Sequence, residues 1–108
     1  MRAILGGTGA MVLFCWILAG VALAEADSAK VFKANCALCH SANGSGDSAA
    51  GKALKAKDLR SPEVQAKPDA ELTEVIGKGK GKMPAFGAKI QPEDLKELVQ
   101  YVRQLAKK

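Results

Sequence analysis

The chain has 108 residues and a formal net charge of +5 at pH 7, so it holds one domain at most. Aromatic residues make up only 5% and do not interleave with the 16 basic side chains, which excludes a nucleic-acid surface. Of the three cysteines, Cys15 lies in an apolar N-terminal stretch and the other two share one short motif, so there is no disulfide scaffold.

Residues 1–24 carry one charge, Arg2, followed by the apolar run Ala10 to Leu23 and the small-residue pattern Ala22-Leu23-Ala24. A basic start, a short apolar centre and an A-x-A site predict a secretory signal peptide. The cut falls after Ala24, or after Ala26 at the second pattern Ala24-Glu25-Ala26. The competing reading is a retained membrane anchor, since Ala3 to Ala24 is uncharged and about 20 apolar residues span a bilayer. Gly6, Gly7, Thr8 and Gly9 dilute the first half of that stretch, which favours cleavage. Leu13-Phe14-Cys15 lacks the small residue that precedes a lipidated cysteine. The expectation is an exported domain over 25–108, in the periplasm, touching the membrane only if the leader stays attached.

Asp27 or Ser28 is placed to cap a first helix running to about Ala37, with Val31 and Phe32 on its apolar face. That helix leads into Cys36-Ala37-Leu38-Cys39-His40, the C-x-x-C-H signature of c-type haem attachment. Two thiols at this spacing reach the two vinyl groups on one porphyrin edge. The residue after the second Cys is then held under the ring, where an imidazole can coordinate iron. His40 is the sole histidine, so no other imidazole competes. A thioredoxin-type dithiol would follow a buried strand, and Ser28 to Asn35 has helical spacing instead. A structural zinc site needs four ligands, and no second Cys/His cluster exists to complete one.

Ser41 to Gly51, rich in Ser, Gly, Ala and Asn, reads as a loop around the haem edge. Lys52 to Leu59 offers Leu54 and Leu59 as its large apolar groups. Ser61-Pro62-Glu63 is a helix start, with a capping hydroxyl, a proline at the first helical position and an acid in the first turn. Pro68 ends that short turn, and Asp69 is expected to cap a helix bearing Leu72, Val75 and Ile76, with Gly77 terminating it. Lys78-Gly79-Lys80-Gly81-Lys82 leads into Met83-Pro84. Met83 is the only methionine outside the leader and sits in a charged, glycine-rich loop, where a thioether makes sense as a distal iron ligand. The final helix opens at Pro92-Glu93-Asp94, and Leu95, Leu98, Val99, Val102 and Leu105 recur at the 3.6-residue period. No stretch alternates with period two, so the fold class is all-α.

With those motifs in place, the chain resembles the small bacterial class I c-type cytochromes over essentially all of Ser28 to Leu105. Cys36, Cys39 and His40 match the haem-binding motif, and Met83-Pro84 matches the axial-methionine motif. Phe32 matches the aromatic of the N-terminal helix, and Leu98 and Tyr101 match the positions of the C-terminal helix that cross it. The resemblance implies a cytochrome c-like helical fold wrapped around one covalently attached haem c.

There are departures. Ser28 stands where the family usually has Gly at the helix crossing, and Gly51-Lys52-Ala53-Leu54 stands for the family's G-P-x-L run. A carbonyl in that run is expected to accept the proximal His Nδ1–H, which would assign the role to Lys52. The family tryptophan that binds a haem propionate has no counterpart beyond the leader, where Trp16 lies.

A haem iron with two protein ligands has no open position for substrate. The implied function is one-electron transfer in a respiratory or related chain, with the thioether favouring Fe(II), and the protein is not an enzyme. A peroxidase-like or gas-binding reading requires Met83 to be displaced. A zinc or dithiol module requires free Cys36 and Cys39. Lys78, Lys80 and Lys82, beside Met83, suggest a docking patch for an acidic redox partner, against the plainer reading of a solvated loop.

Overall fold

Five apolar side chains on one face of the C-terminal helix organise the rest of the domain. The computed structural model describes residues 27–108. The expected leader, residues 1–24, therefore lies outside the described residues.

Among the described residues, six helices follow one another. These are α1 (helical over the described residues 27–35), α2 (Ala37–His40), α3 (Ala49–Leu54), α4 (Pro62–Gln65), α5 (Asp69–Lys78) and α6 (Pro92–Leu105). Among the described residues there is no strand, only an isolated bridge between Lys80 and Met83. The domain is an all-α bundle, as the periodicity predicts. No helix among the described residues is long and apolar enough to cross a membrane.

Helix α6 starts with Pro92 in its first turn beside Glu93 and Asp94, which suit the positive end of the helix dipole. Leu95, Leu98, Val99, Val102 and Leu105 are all buried. Each such side chain contributes about 1.5–3 kcal/mol on leaving water, which outweighs the weak intrinsic preferences of the valines. Against this face pack Phe32 of α1, Val64 of α4, Leu72 and Ile76 of α5, and Phe86 and Ile90 of the loop between α5 and α6.

Phe32 meets Tyr101 of α6 with ring centroids 5.1 Å apart and planes tilted by 47°. Ser28, one turn earlier on α1, is only 6% exposed. Helix is already under way at Asp27, so neither Asp27 nor Ser28 takes the expected cap position.

Three further expectations are corrected. The loop after the C-x-x-C-H motif is shorter than composition suggests, because Ser48 caps α3 by accepting the Gly51 N–H at 3.0 Å and turns Ala49 to Gly51 into helix. Asp69 does not cap α5, since Pro68 holds that position. The Asp69 carboxylate instead accepts from Arg103 Nη2 at 2.7 Å and Gln100 Nε2 at 3.0 Å, tying α5 to α6. Nor does Gly77 end α5. The helix continues to Lys78 and Gly79 terminates it at φ 77°, a conformation glycine adopts freely. The expected cap of α4 is present, with Ser61 Oγ accepting the Val64 N–H at 3.3 Å.

Arg103 also donates to the carbonyls of Gln65 (3.0 Å) and Lys67 (2.6 Å). The Gln65 side chain reaches the Leu59 carbonyl at 2.7 Å. Long polar side chains thus satisfy backbone carbonyls on both sides of α4, where there is no ladder.

Candidate functional site

The chain leaves α1 through Cys36 and at once begins α2. Cys36 N–H donates to the Phe32 carbonyl at 2.8 Å, and its own carbonyl accepts from His40 N–H at 2.9 Å. One helical turn therefore spans Cys36, Cys39 and His40 and presents two thiols and an imidazole together. Both cysteines are free and half-buried. Cys36 packs against the core, and burial, followed by the neighbouring Cys39, pushes its thiol up to about 11. A thioredoxin-type cysteine needs its pKa lowered, so this environment argues against a dithiol oxidoreductase.

His40 Nδ1–H donates to the carbonyl of Lys57 at 2.9 Å. A carbonyl can only accept, so the proton sits on Nδ1 and the Nε2 lone pair is left for a metal. The expected acceptor was Lys52, and it is not used. Lys52 lies within α3, where its carbonyl belongs to the helix end and accepts from Lys55 N–H. The run in the G-P-x-L role is Ala56-Lys57-Asp58-Leu59, with Leu59 packed on the core while Leu54 stays 41% exposed.

Sequence reasoning missed the residues that fasten this turn. Ser48 Oγ donates to the Leu38 carbonyl at 2.7 Å, and Gly46 N–H donates to the His40 carbonyl at 2.8 Å. These bonds satisfy carbonyls that a one-turn helix leaves open. Gly51 is buried so closely against α2 that a Cβ there would overlap the carbonyl oxygens of Cys39 and Gly46. A loop of Ser and Gly following a haem motif was the available signal, and it does not distinguish a clasp from a flexible wrap.

Met83 is half-buried and packs on the same cluster as Cys36. Lys80 and Met83 exchange both backbone hydrogen bonds, at 3.0 and 3.1 Å, around the two-residue turn Gly81-Lys82. Gly81 has φ 58°, as the first position of a type II′ hairpin requires. Phe86 N–H and Gly87 N–H then bond to the carbonyls of Ile76 (3.0 Å) and Gly77 (2.9 Å), which stitches the loop to the end of α5. A Cβ on Gly79 would come within 2.6 Å of the Met83 carbonyl oxygen. Met83 is thus held by backbone on both sides.

The three lysines beside it are not equivalent. Lys78 Nζ forms an ion pair with Glu74 at 3.2 Å, whereas Lys80 and Lys82 are exposed with no ion-pair partner among the described residues.

Comparison with known proteins gives this arrangement its context. The family model described as cytochrome c oxidase, cbb3-type, subunit III matches residues 24–102. Cytochrome c6 of Gloeothece citriformis is 35% identical over 96 residues, covering 88% of this chain and 84% of that protein. Cytochrome c6 of Microcystis aeruginosa is 40% identical over 82 residues, covering 76% and 98%. The solved structure of the KustC0563 c-type cytochrome superposes with a TM-score of 0.67 at 31% identity, covering 72% of this chain and 95% of that one.

This chain belongs to the small c-type cytochromes.

Cytochromes of this family are electron carriers, not catalytic enzymes. Membership implies a covalently bound haem c, and the side chains of this cytochrome fit one. Two free thiols stand a turn apart, an imidazole has its Nδ1 already engaged, and a thioether faces the same apolar core. The thiols would attach haem c covalently, and the imidazole and the thioether are donor types that its iron takes.

Proposed function

We propose that this cytochrome is an exported one-electron shuttle whose haem is fixed by thioethers at Cys36 and Cys39 and ligated axially by His40 and Met83. The observation that carries the reading is the hydrogen bond from His40 Nδ1 to the Lys57 carbonyl, beside the two free thiols. It orients the ring and leaves Nε2 as the basic nitrogen. The bound haem supplies one-electron exchange between Fe(II) and Fe(III). The chain supplies the rest. Cys36 and Cys39 fix the group covalently, and the α2 turn sets the height of His40. The backbone-pinned loop keeps Met83 in one place through oxidation and reduction, which limits rearrangement during transfer. Phe32, Leu98 and Phe86 are buried and Leu59 packs against them, so this core would shield the group from water.

Partners are proposed to be acidic redox proteins of a respiratory or related chain. The name of the matched family model, an oxidase subunit, agrees with such a setting. Lys80 and Lys82 carry the patch, with Lys78 contributing less because Glu74 already neutralises it. Residues 1–24 are proposed to be removed on export to the periplasm, leaving 25–108 as the haem domain. An N-terminal sequence of the secreted protein starting at Glu25 or Asp27 would support this, and an intact Met1 would reverse it.

The direct test is spectroscopic. The purified protein should keep its pigment through acid-acetone extraction and show a near-infrared methionine-to-iron band when oxidised. Met83→Ala should abolish that band, lower the potential and admit carbon monoxide to the ferrous protein. Carbon monoxide binding by the unaltered ferrous protein at neutral pH would return the gas-binding reading.

A further inference from the structure

Residues 41–48 do more than connect α2 to α3. Ser41 follows His40 directly and adopts φ 67°, ψ 159°, a conformation strained for a residue with a Cβ. Its hydroxyl donates to Asp47 Oδ1 at 2.9 Å and accepts from Ser48 N–H at 2.9 Å. Ser45 Oγ donates to the same Asp47 oxygen at 2.6 Å. Ser48 in turn holds the Leu38 carbonyl at 2.7 Å. Gly46, next to Asp47, donates to the His40 carbonyl at 2.8 Å, and a Cβ on it would lie 2.8 Å from the Ala56 oxygen and 3.2 Å from the Lys57 oxygen. Gly46 is therefore wedged between His40 and the strip of backbone that accepts the His40 Nδ1–H.

We infer that Asp47 is a positioning residue for His40, acting through the Ser41 hydroxyl and the Gly46 wedge. The inference rests on the reading of His40 as the proximal ligand. Asp47 offers charge-assisted bonds, roughly twice as strong as neutral ones, to two hydroxyls at once. One of those hydroxyls is on the strained residue that ends the haem motif. The two bonds also keep the Asp47 carboxyl below the ordinary carboxylate range, Ser45 contributing more than Ser41. Without the carboxylate, Ser41 is free to relax toward an ordinary backbone conformation. The wedge and the Nδ1–H bond loosen with it.

The test follows the His40 Nδ1–H by NMR in the haem-loaded protein, together with the midpoint potential. Asp47→Ala and Ser41→Gly should each speed solvent exchange of this proton by about tenfold, the equivalent of one ordinary hydrogen bond. Glycine relieves the φ strain at position 41, so a loss there reports the hydroxyl. Asp47→Asn keeps an acceptor oxygen without the charge and should recover about half of the protection. Ser45→Ala removes the Asp47 bond that does not lead to α2 and should speed exchange less than Ser41→Gly does. The potential should rise in the same order, because a weaker Nδ1–H bond makes the imidazole a poorer donor and favours Fe(II).

Unchanged exchange in both Asp47→Ala and Ser41→Gly would overturn the inference. So would Asp47→Asn behaving like Asp47→Ala, since the through-space charge of the carboxylate, rather than its bonds to the hydroxyls, would then explain the effect. If Asp47→Ala fails to accumulate, Ser41→Gly and Asp47→Asn decide the matter. Absence of paramagnetically shifted His40 signals in the unaltered ferric protein is a separate outcome. It would remove the proximal-ligand reading and this inference with it.

Discussion

Gly51→Ala and Gly77→Ala are the same substitution in two helices, and the structure gives them opposite signs. By helix propensity alone both should stabilise, since Gly in a helix interior costs about 0.5–1 kcal/mol relative to Ala. At Gly77 a new Cβ would meet only Leu95 Cδ1, at 3.8 Å, an ordinary contact. The propensity gain should survive there and raise Tm by roughly 2–8 °C, taking about 4–8 °C per kcal/mol for a domain this size. At Gly51 the Cβ would overlap the carbonyl oxygens of Cys39 and Gly46. Backbone cannot rotate out of the way as a side chain does. The overpacking penalty should therefore lie near the top of the usual range, about 3 kcal/mol. Subtracting the propensity gain of about 1 kcal/mol leaves a net loss of about 2 kcal/mol, or roughly 8–16 °C in Tm. Thermal unfolding of both haem-loaded variants by far-ultraviolet circular dichroism measures this directly. A Gly51→Ala protein as stable as the parent would refute the claim that α3 is seated on the haem-motif backbone.

Leu98→Ala removes a side chain that is 1% exposed and should cost about 2–5 kcal/mol in guanidinium unfolding, whereas Leu38→Ala, 76% exposed, should stay within about 0.5 kcal/mol. Asp69→Asn should flatten the acid limb of stability. The Arg103 side chain, then Gln100, holds the Asp69 carboxyl below its ordinary range, so its contribution is complete above about pH 3.9 and is lost as pH falls through the folded value. Unfolding midpoints of parent and variant should converge at low pH, and a constant gap down to pH 2 would count against the pairing. Replacing Lys80 and Lys82 by Gln should slow electron exchange with an acidic partner at low salt. The difference should fade as the Debye length shrinks to about 8–10 Å, and Lys78→Gln alone should do less because Glu74 already pairs it. Equal rates at low salt would return these lysines to a solvated loop.

Helical boundaries were legible where one local rule acted alone. Helix α6 and its five buried residues follow from periodicity, a proline and two acids at its start. The cap at Ser61 follows from a single hydroxyl. The reading slipped where two neighbouring residues could each serve. Gly77 and Gly79 both suit a helix end, and the loop's need for close approach at Gly79 chose between them. Asp69 suits a cap, but Arg103, 34 positions later in the chain, offers its carboxylate stronger partners.

By itself the sequence determined the family resemblance and the helical class of this cytochrome, because both depend on residue type and short spacing. Two thiols and an imidazole within five residues, one remaining methionine, and a 3.6-residue apolar period need no partner to be recognised. Only the tertiary structure decided which carbonyl accepts the His40 proton. It alone showed that Gly46 and Gly51 are seats for the haem motif and that Lys78 is paired while Lys80 and Lys82 are not. Each of these is a contact between backbone or side chains brought together by packing on α6. Such contacts carry no signature in composition or local spacing, since many residues could have made them and the fold selects one.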